Sequence, residues 1–330
     1  MRTLLNGKNI SIAIGVFVLL LTLLGWWWSF EPDLSDVSEK ARTEAHTNHQ
    51  SVVVGYTTTT ALIHVIDTML NKPGGYITND LTPPGIVMDN MPSWEFGVLE
   101  MSRDLALAMR KDFSRSQSQS LENEDLAKAQ PKLNFDSSRW ILPSTEGEYS
   151  DALQSLRAYR DSLSNVGQSN SQFYARADNL RDYLKQVEKR LGSLSQKLSA
   201  SVGTESLNTE LAGDPSASSS TPQPSSVENK TSWFKLDNNF YEARGACWAL
   251  LHFLAAIEHD FADVLLKKNA IISLRQIIRE LEATQETVFS PMILNGDGFG
   301  LVANHSLVMA NYISRANAAL IELSELLNQG

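Results

Sequence analysis

The chain has 330 residues with 28 basic and 38 acidic side chains, a formal net charge of −10. Hydrophobics at 42% and aromatics at 8% suffice for a core, which excludes wholesale disorder, and the length fits one large domain or two modest ones. The acidic balance argues against a nucleic-acid partner, and the single cysteine, Cys247, excludes an internal disulfide framework and a cysteine-based zinc cluster.

Residues Ile10–Trp28 read ISIAIGVFVLLLTLLGWWW, uncharged and close to the ~20 residues a helix needs to span a bilayer. Trp26, Trp27 and Trp28 close the run as an interfacial belt. Arg2 and Lys8 precede it, while Glu31, Asp33, Asp36 and Glu39 follow, so the positive-inside rule puts residues 1–9 in the cytoplasm and the bulk of the chain in the periplasm or outside. A cleaved signal peptide would look similar, but no small-x-small cleavage site follows the apolar run; Ser29, Phe30 and Glu31 do. The reading is a single-pass membrane anchor at 10–28. The exported part loses two of the 28 basic residues and keeps all 38 acidic ones, for a net charge of −12. Such a surface is repelled by anionic headgroups unless its cations cluster.

Residues 29–56 are polar and read as a juxtamembrane tether. A first helical half, 57–202, follows. The apolar spacing predicts a helix from Thr58 to Asn71, stopped by Lys72-Pro73-Gly74-Gly75. Tyr76–Pro92 reads as a loop, and Ser93 as the N-cap of a helix from Trp94 to Phe113. Ser114–Ala129 reads as a further loop. Thr145 and Glu148 form a capping box opening a helix through Leu163. From Phe173 to Leu198 apolar residues alternate by four and three, a heptad seam on a predicted helix from Gln172 to Ala200. Residues 203–231, rich in Ser and Pro, lack large apolar side chains over 212–226 and read as a disordered linker. The second half, 232–330, carries a second seam over Phe240–Val264 on a helix about Asp237–Lys267, then helices near Ala270–Thr287 and His305–Leu327. No strand alternation stands out. The expected fold is all-α: one transmembrane helix, then a bundle of long antiparallel, coiled-coil-like helices with the second half packed on the first.

The strings KPGGYITND, PPGIVMDNMPSWEFGVL, RKDFSRSQSQS, RWILPSTEGEY, FYARADNL, RLGSLSQKLSASVG and NNFYEARGACWALLHFL, in that order, resemble the domain-of-unknown-function 2333 family of proteobacterial proteins. The resemblance spans nearly all of the exported part except the linker and implies a single-pass envelope protein of Gram-negative bacteria with no assigned activity. It brings no functional residues.

Chemistry is sparse. His252, His259 and Asp263 share a helix face, but two turns separate the imidazoles by ~10 Å, too far for one ion. The loop Asn295–Gly300 lacks both calcium-loop and dinucleotide spacing, since the twelfth position from Asn295 is Ser306. Ser232-x-x-Lys235 stands without its companion motifs. No metal or other cofactor is expected. The patch Arg103, Arg110, Lys111 and Arg115, with Ser116 and Gln117, could hold an anionic ligand or partner carboxylate; the competing account is internal pairing. The functional expectation is a non-enzymatic scaffold or interaction protein of the envelope, its partners the bilayer and other envelope proteins, with self-association left open. The alternative is a glycan-binding protein or hydrolase using Asn79, Asp80, Asp89, Asn90, Trp94, Glu95 and Trp140 in the loops 76–95 and 131–145.

Overall fold

The uncharged N-terminal run has nothing to interrupt helical hydrogen bonding and forms α1, Gly7–Trp28. It belongs to a computed structural model that describes residues 7–117, 120–165, 171–207, 226–290, 292–297 and 300–329. None of the apolar span Asn9–Trp28 is buried against protein over its most apolar window, so α1 is long and apolar enough to be a membrane anchor or a signal sequence.

The segment read as a tether contains α2, Val37–Thr47. Asp36 caps it, accepting from the Ser38 and Glu39 amides at 2.8 and 3.1 Å. Its inward stripe is Val37, Ala41 and Ala45, too small to register as an apolar face in the sequence. Next comes α3, Tyr56–Asn71, entered through Gly55 at φ +89°. Asp260, far away in the chain, accepts from the Thr58 amide and hydroxyl, both at 2.7 Å, and so satisfies the helix start.

α4 runs Asn90–Ala108 and starts before the expected Ser93 cap, because the Ser93 hydroxyl donates back to the Asp89 carbonyl instead. It ends in a π-helical turn, Met109–Phe113, which brings Phe113 to 5.3 Å from the Phe173 ring and 5.2 Å from Phe261. The expected loop after it holds the start of α5, Glu124–Leu133, capped by Asn123. α6 spans Thr145–Ser164; its cap is Ser144, while the Thr145 hydroxyl is buried between the carbonyls of Asp136 and Arg139. α7 is Ala177–Ser199, and Phe173 lies outside it.

Beyond α7, Thr204–Leu207 (β1) and Ser226–Asn229 (β2) pair antiparallel, with Thr204 opposite Asn229. The linker reading of 208–225 lies outside the described residues. The expected helix from Asp237 to Lys267 is broken at Phe261 into α8, Leu236–Asp260, and α9, Ala262–Lys267. α10, Ile271–Glu282, and α11, His305–Asn328, complete eleven α-helices among the described residues.

α8 is the axis of the fold. α4 crosses it at two glycines: a Cβ on Gly97 would lie 2.0 Å from the Glu242 carbonyl oxygen, and one on Gly245 2.1 Å from that of Trp94. The seam of α7 buries Leu180, Leu184, Val187, Leu191, Leu194 and Leu198. Its main neighbour is α11 rather than the Phe240–Val264 seam, running antiparallel, with Arg181 bonded to Asn328 and Ser195 to Ser314. Residues before and after the linker share one apolar cluster.

Candidate functional site

The end of α1 is built into the body. Gly74, at φ +86°, has no Cβ, and one placed there would sit 2.7 Å from the Trp28 ring. One turn earlier, Gly25 faces Pro84, whose Cβ is 3.2 Å from where a Gly25 Cβ would be. The chain then runs as an extended strap beside one face of α8. Glu31 pairs with the Arg244 Nε at 2.5 Å, the Trp248 indole points at the Asp33 carbonyl at 3.4 Å, and the Ser35 amide donates to His252 Nε2 at 3.2 Å. Positions 244, 248 and 252 are four apart, so they stack along one helical stripe. Arg244 also donates to the carbonyls of Thr284, Gln285 and Glu286, tying the strap to the turn after α10. Burial raises the Glu31 carboxyl, against the pull of Arg244.

Beneath the strap lies a row of hydrogen bonds. Lys40 Nζ is 3.2 Å from His64 Nδ1, His64 Nε2 is 2.7 Å from the Ser35 hydroxyl, and Ser35 Oγ is 3.3 Å from His252 Nε2. His252 Nδ1 reaches the Trp248 carbonyl at 2.8 Å. A serine this close to an imidazole suggests a nucleophile and its base. The partners assign the protons ring by ring. An ammonium can only donate, so Nδ1 of His64 accepts and its proton sits on Nε2, which donates to Ser35. His64 therefore cannot take the Ser35 proton; His252 has the other tautomer, its Nδ1–H on the Trp248 carbonyl and its Nε2 accepting from Ser35, with a carbonyl rather than a carboxylate behind it. Burial, then Lys40, then His252 lower His64 to about 4. Burial holds His252 at about 4 as well, against its bond to the Trp248 carbonyl. The row is a latch of two imidazoles that share the Ser35 hydroxyl.

The expected site residues fall elsewhere. Arg103 donates to the carbonyls of Leu133 and Phe135 at 2.7 and 2.9 Å and pairs with Glu100. Arg110 bonds Glu122 and Gln130. Arg115 donates to the Ser120 carbonyl, and the Ser116 hydroxyl and Gln117 amide meet the Ser120 hydroxyl. Lys111 is exposed beside a hollow it shares with Asp104, Asp112, Asp182, Lys185 and Lys189. His252 belongs to the latch, His259 bonds Thr57, and Asp263 is exposed, so the three do not converge. Among the described residues no group of His, Cys, Asp and Glu is placed to hold a metal ion.

The loops 76–95 and 131–145 do meet. Tyr76 donates to the Ser137 carbonyl at 2.9 Å, and Asn79 to the Arg139 carbonyl at 3.1 Å and to Glu146 at 2.9 Å. Glu95 is buried and committed: it pairs with Lys72 and accepts from the Ile77 and Thr78 amides at 2.9 and 2.8 Å. Asp80 is raised by burial first and by Glu146 second. The strap, Lys40 and His64 carry no local sequence signal as a site; only the Asp36-x-x-Glu39 cap marks a helix there.

Fold and site together define a helical protein whose apolar N-terminal helix is joined to its body by buried polar contacts. The chain belongs to the DUF2333 family, described as an uncharacterized protein conserved in bacteria, which matches residues 3–330. Comparison with curated proteins and with solved structures finds no match.

Proposed function

We propose that the protein is a single-pass inner-membrane protein, N-terminus in the cytoplasm and helical body in the periplasm, acting as a non-enzymatic scaffold that engages other envelope proteins. The observation that carries this reading is the strap. A cleaved signal would surrender Trp28 from its seat on Gly74 and Gly25 from its contact with Pro84, leaving Glu31–Ser35 on α8 with nothing to tie down. Those contacts favour an anchor that stays attached. The long antiparallel pair α7–α11 supplies outer faces for partners or for a second copy. A phosphatase fused after Gly330 is expected to be active in cells, and the purified protein to retain its N-terminal residues. An inactive phosphatase beside an active cytosolic reporter, or a chain beginning beyond residue 28, overturns the reading.

The second reading, a glycan-binding protein or hydrolase, is favoured by the meeting of its two loops beside Asp80 and Glu146. It expects Asp80→Asn to abolish binding to, or cleavage of, cell-wall glycan strands by the full protein. Glycan neither bound nor cut by the unaltered protein removes it.

A further inference from the structure

The exposed aromatic side chains of the body gather at one end. Outside α1 and its exit, the exposed Trp and Phe side chains among the described residues are Phe96, Trp140, Trp233, Phe234 and Phe289. Phe96 borders a hollow with Ile86 and Asn238, and Phe289 follows Val288, which faces Phe30 and Leu34 across another. The opposite end exposes aliphatic side chains such as Leu266 and Ile272.

Three contacts set the level of this end against α1. Pro84 lies against Gly25, within the last turn of the apolar helix, and its loop exposes Leu81, Ile86 and Val87. The bond from Asn79 to the Arg139 carbonyl brings up the next loop, where Trp140, Ile141 and Leu142 are 59%, 57% and 88% exposed. The strap gives direction: leaving α1, it passes Arg244 first and His252 second, so the N-terminus of α8 points back toward the membrane. Trp233 and Phe234, about ten residues before Arg244, lie on the order of 15 Å further back. Glu31 stands only three residues, ~10 Å of extended chain, beyond Trp28. Trp233 and Phe234 therefore reach the level of the tryptophan belt.

We propose that this end of the body is seated in the bilayer, with the loops at 81–87 and 140–142 and the turn at 233–234 inserted into the periplasmic-side leaflet of the membrane that α1 crosses. The proposal rests on the reading of α1 as an anchor. The occupant is lipid because the patch is continuous with the anchor itself: Pro84 touches it, and a protein partner there would have to displace the leaflet already surrounding Trp26 and Trp27. Indole and phenyl rings prefer this depth. The attachment is apolar, since the inserted segments 81–87, 140–142 and 233–234 carry no charge and the exported part as a whole carries −12.

The test uses the full chain reconstituted in phosphatidylcholine vesicles, with an environment-sensitive fluorophore on single introduced cysteines; native Cys247 is fully buried and does not compete. Labels at Val87→Cys, Leu142→Cys and Phe234→Cys are expected to be quenched by lipid-borne quenchers at headgroup depth. Their quenching by aqueous iodide should be several-fold weaker than at Leu266→Cys, with no change at high salt. A label at Leu19→Cys reports α1 separately. If that label is open to iodide, the anchor reading fails. If it is lipid-quenched while the other three are open to iodide, the anchor stands and the seat is overturned. Shielding from both quenchers means that protein covers the patch, and release at high salt means electrostatic attachment; either overturns the seat as well.

Discussion

The α7–α11 seam and the strap against α8 hold the molecule by opposite means. Along α7, six aliphatic side chains are buried and the bonds to α11 sit at the seam's margins. Along the strap, few carbon atoms are buried, and Glu31, Arg244, Ser35, His64 and His252 satisfy one another instead. The apolar seam tolerates substitution in proportion to the volume lost. The polar strap responds to charge and proton, because each member leaves the others unpaired when removed.

Leu184→Asp breaks the seam and has the largest effect. The position is fully buried, and an unpaired carboxylate there costs several kcal/mol. Circular dichroism should show loss of helix; retained helix with unchanged melting would make this face a docking surface instead. Arg244→Met strikes the strap. It strips Glu31 of its partner and three carbonyls of their donor, at ~3 kcal/mol, with protease cleavage near residues 29–35. Thermal melting together with mapping of the cut sites checks it, and an unshifted melt refutes the coupling.

Acid separates the two regions without mutation. His64 and His252 both titrate at about 4 in the folded chain, below the ordinary 6.5, so the unfolded chain takes up protons first. Their stabilisation is complete above 6.5, is lost as pH falls through the window to about 4, and levels off below it. Burial sets this direction for both rings, and Lys40 adds to it, with His252 adding to it at His64. Allowing for partial solvent screening, the loss is ~2–4 kcal/mol for the pair. Melting followed against pH should show it, and a His64→Leu, His252→Leu double variant should flatten the slope. The smallest effect belongs to deletion of residues 212–225: closure entropy changes slowly with loop length, so melting should shift by no more than ~0.5 kcal/mol.

The contrast also explains what could be read in advance. Periodic burial writes itself into the sequence, so the cores of α3, α4, α6, α7, α8 and α11 were legible, with errors confined to ends where a cap or break intervened: Ser144 rather than Thr145, Asn90 rather than Trp94, Phe261 inside the expected α8–α9 run. Helices with small or short stripes were missed, as Ala41 and Ala45 in α2 show. The latch was illegible for a different reason. Ser35 and His252 lie 217 residues apart, and neither residue type has a period that announces a partner at that separation. In the sequence His252 stands out only by its spacing from His259 and Asp263, whereas its ring faces Ser35 and the Trp248 carbonyl.

The direction of the strap has a mechanical consequence. Its contacts to Arg244, Trp248 and His252 follow one another away from α1 along the α8 axis. A force drawing the body away from α1 therefore pulls lengthwise on the strap, in shear. All three contacts carry the load together and must give way together, whereas a strap lying across α8 would peel one bond at a time. The junction between helix and body is therefore built to bear tension along the α8 axis.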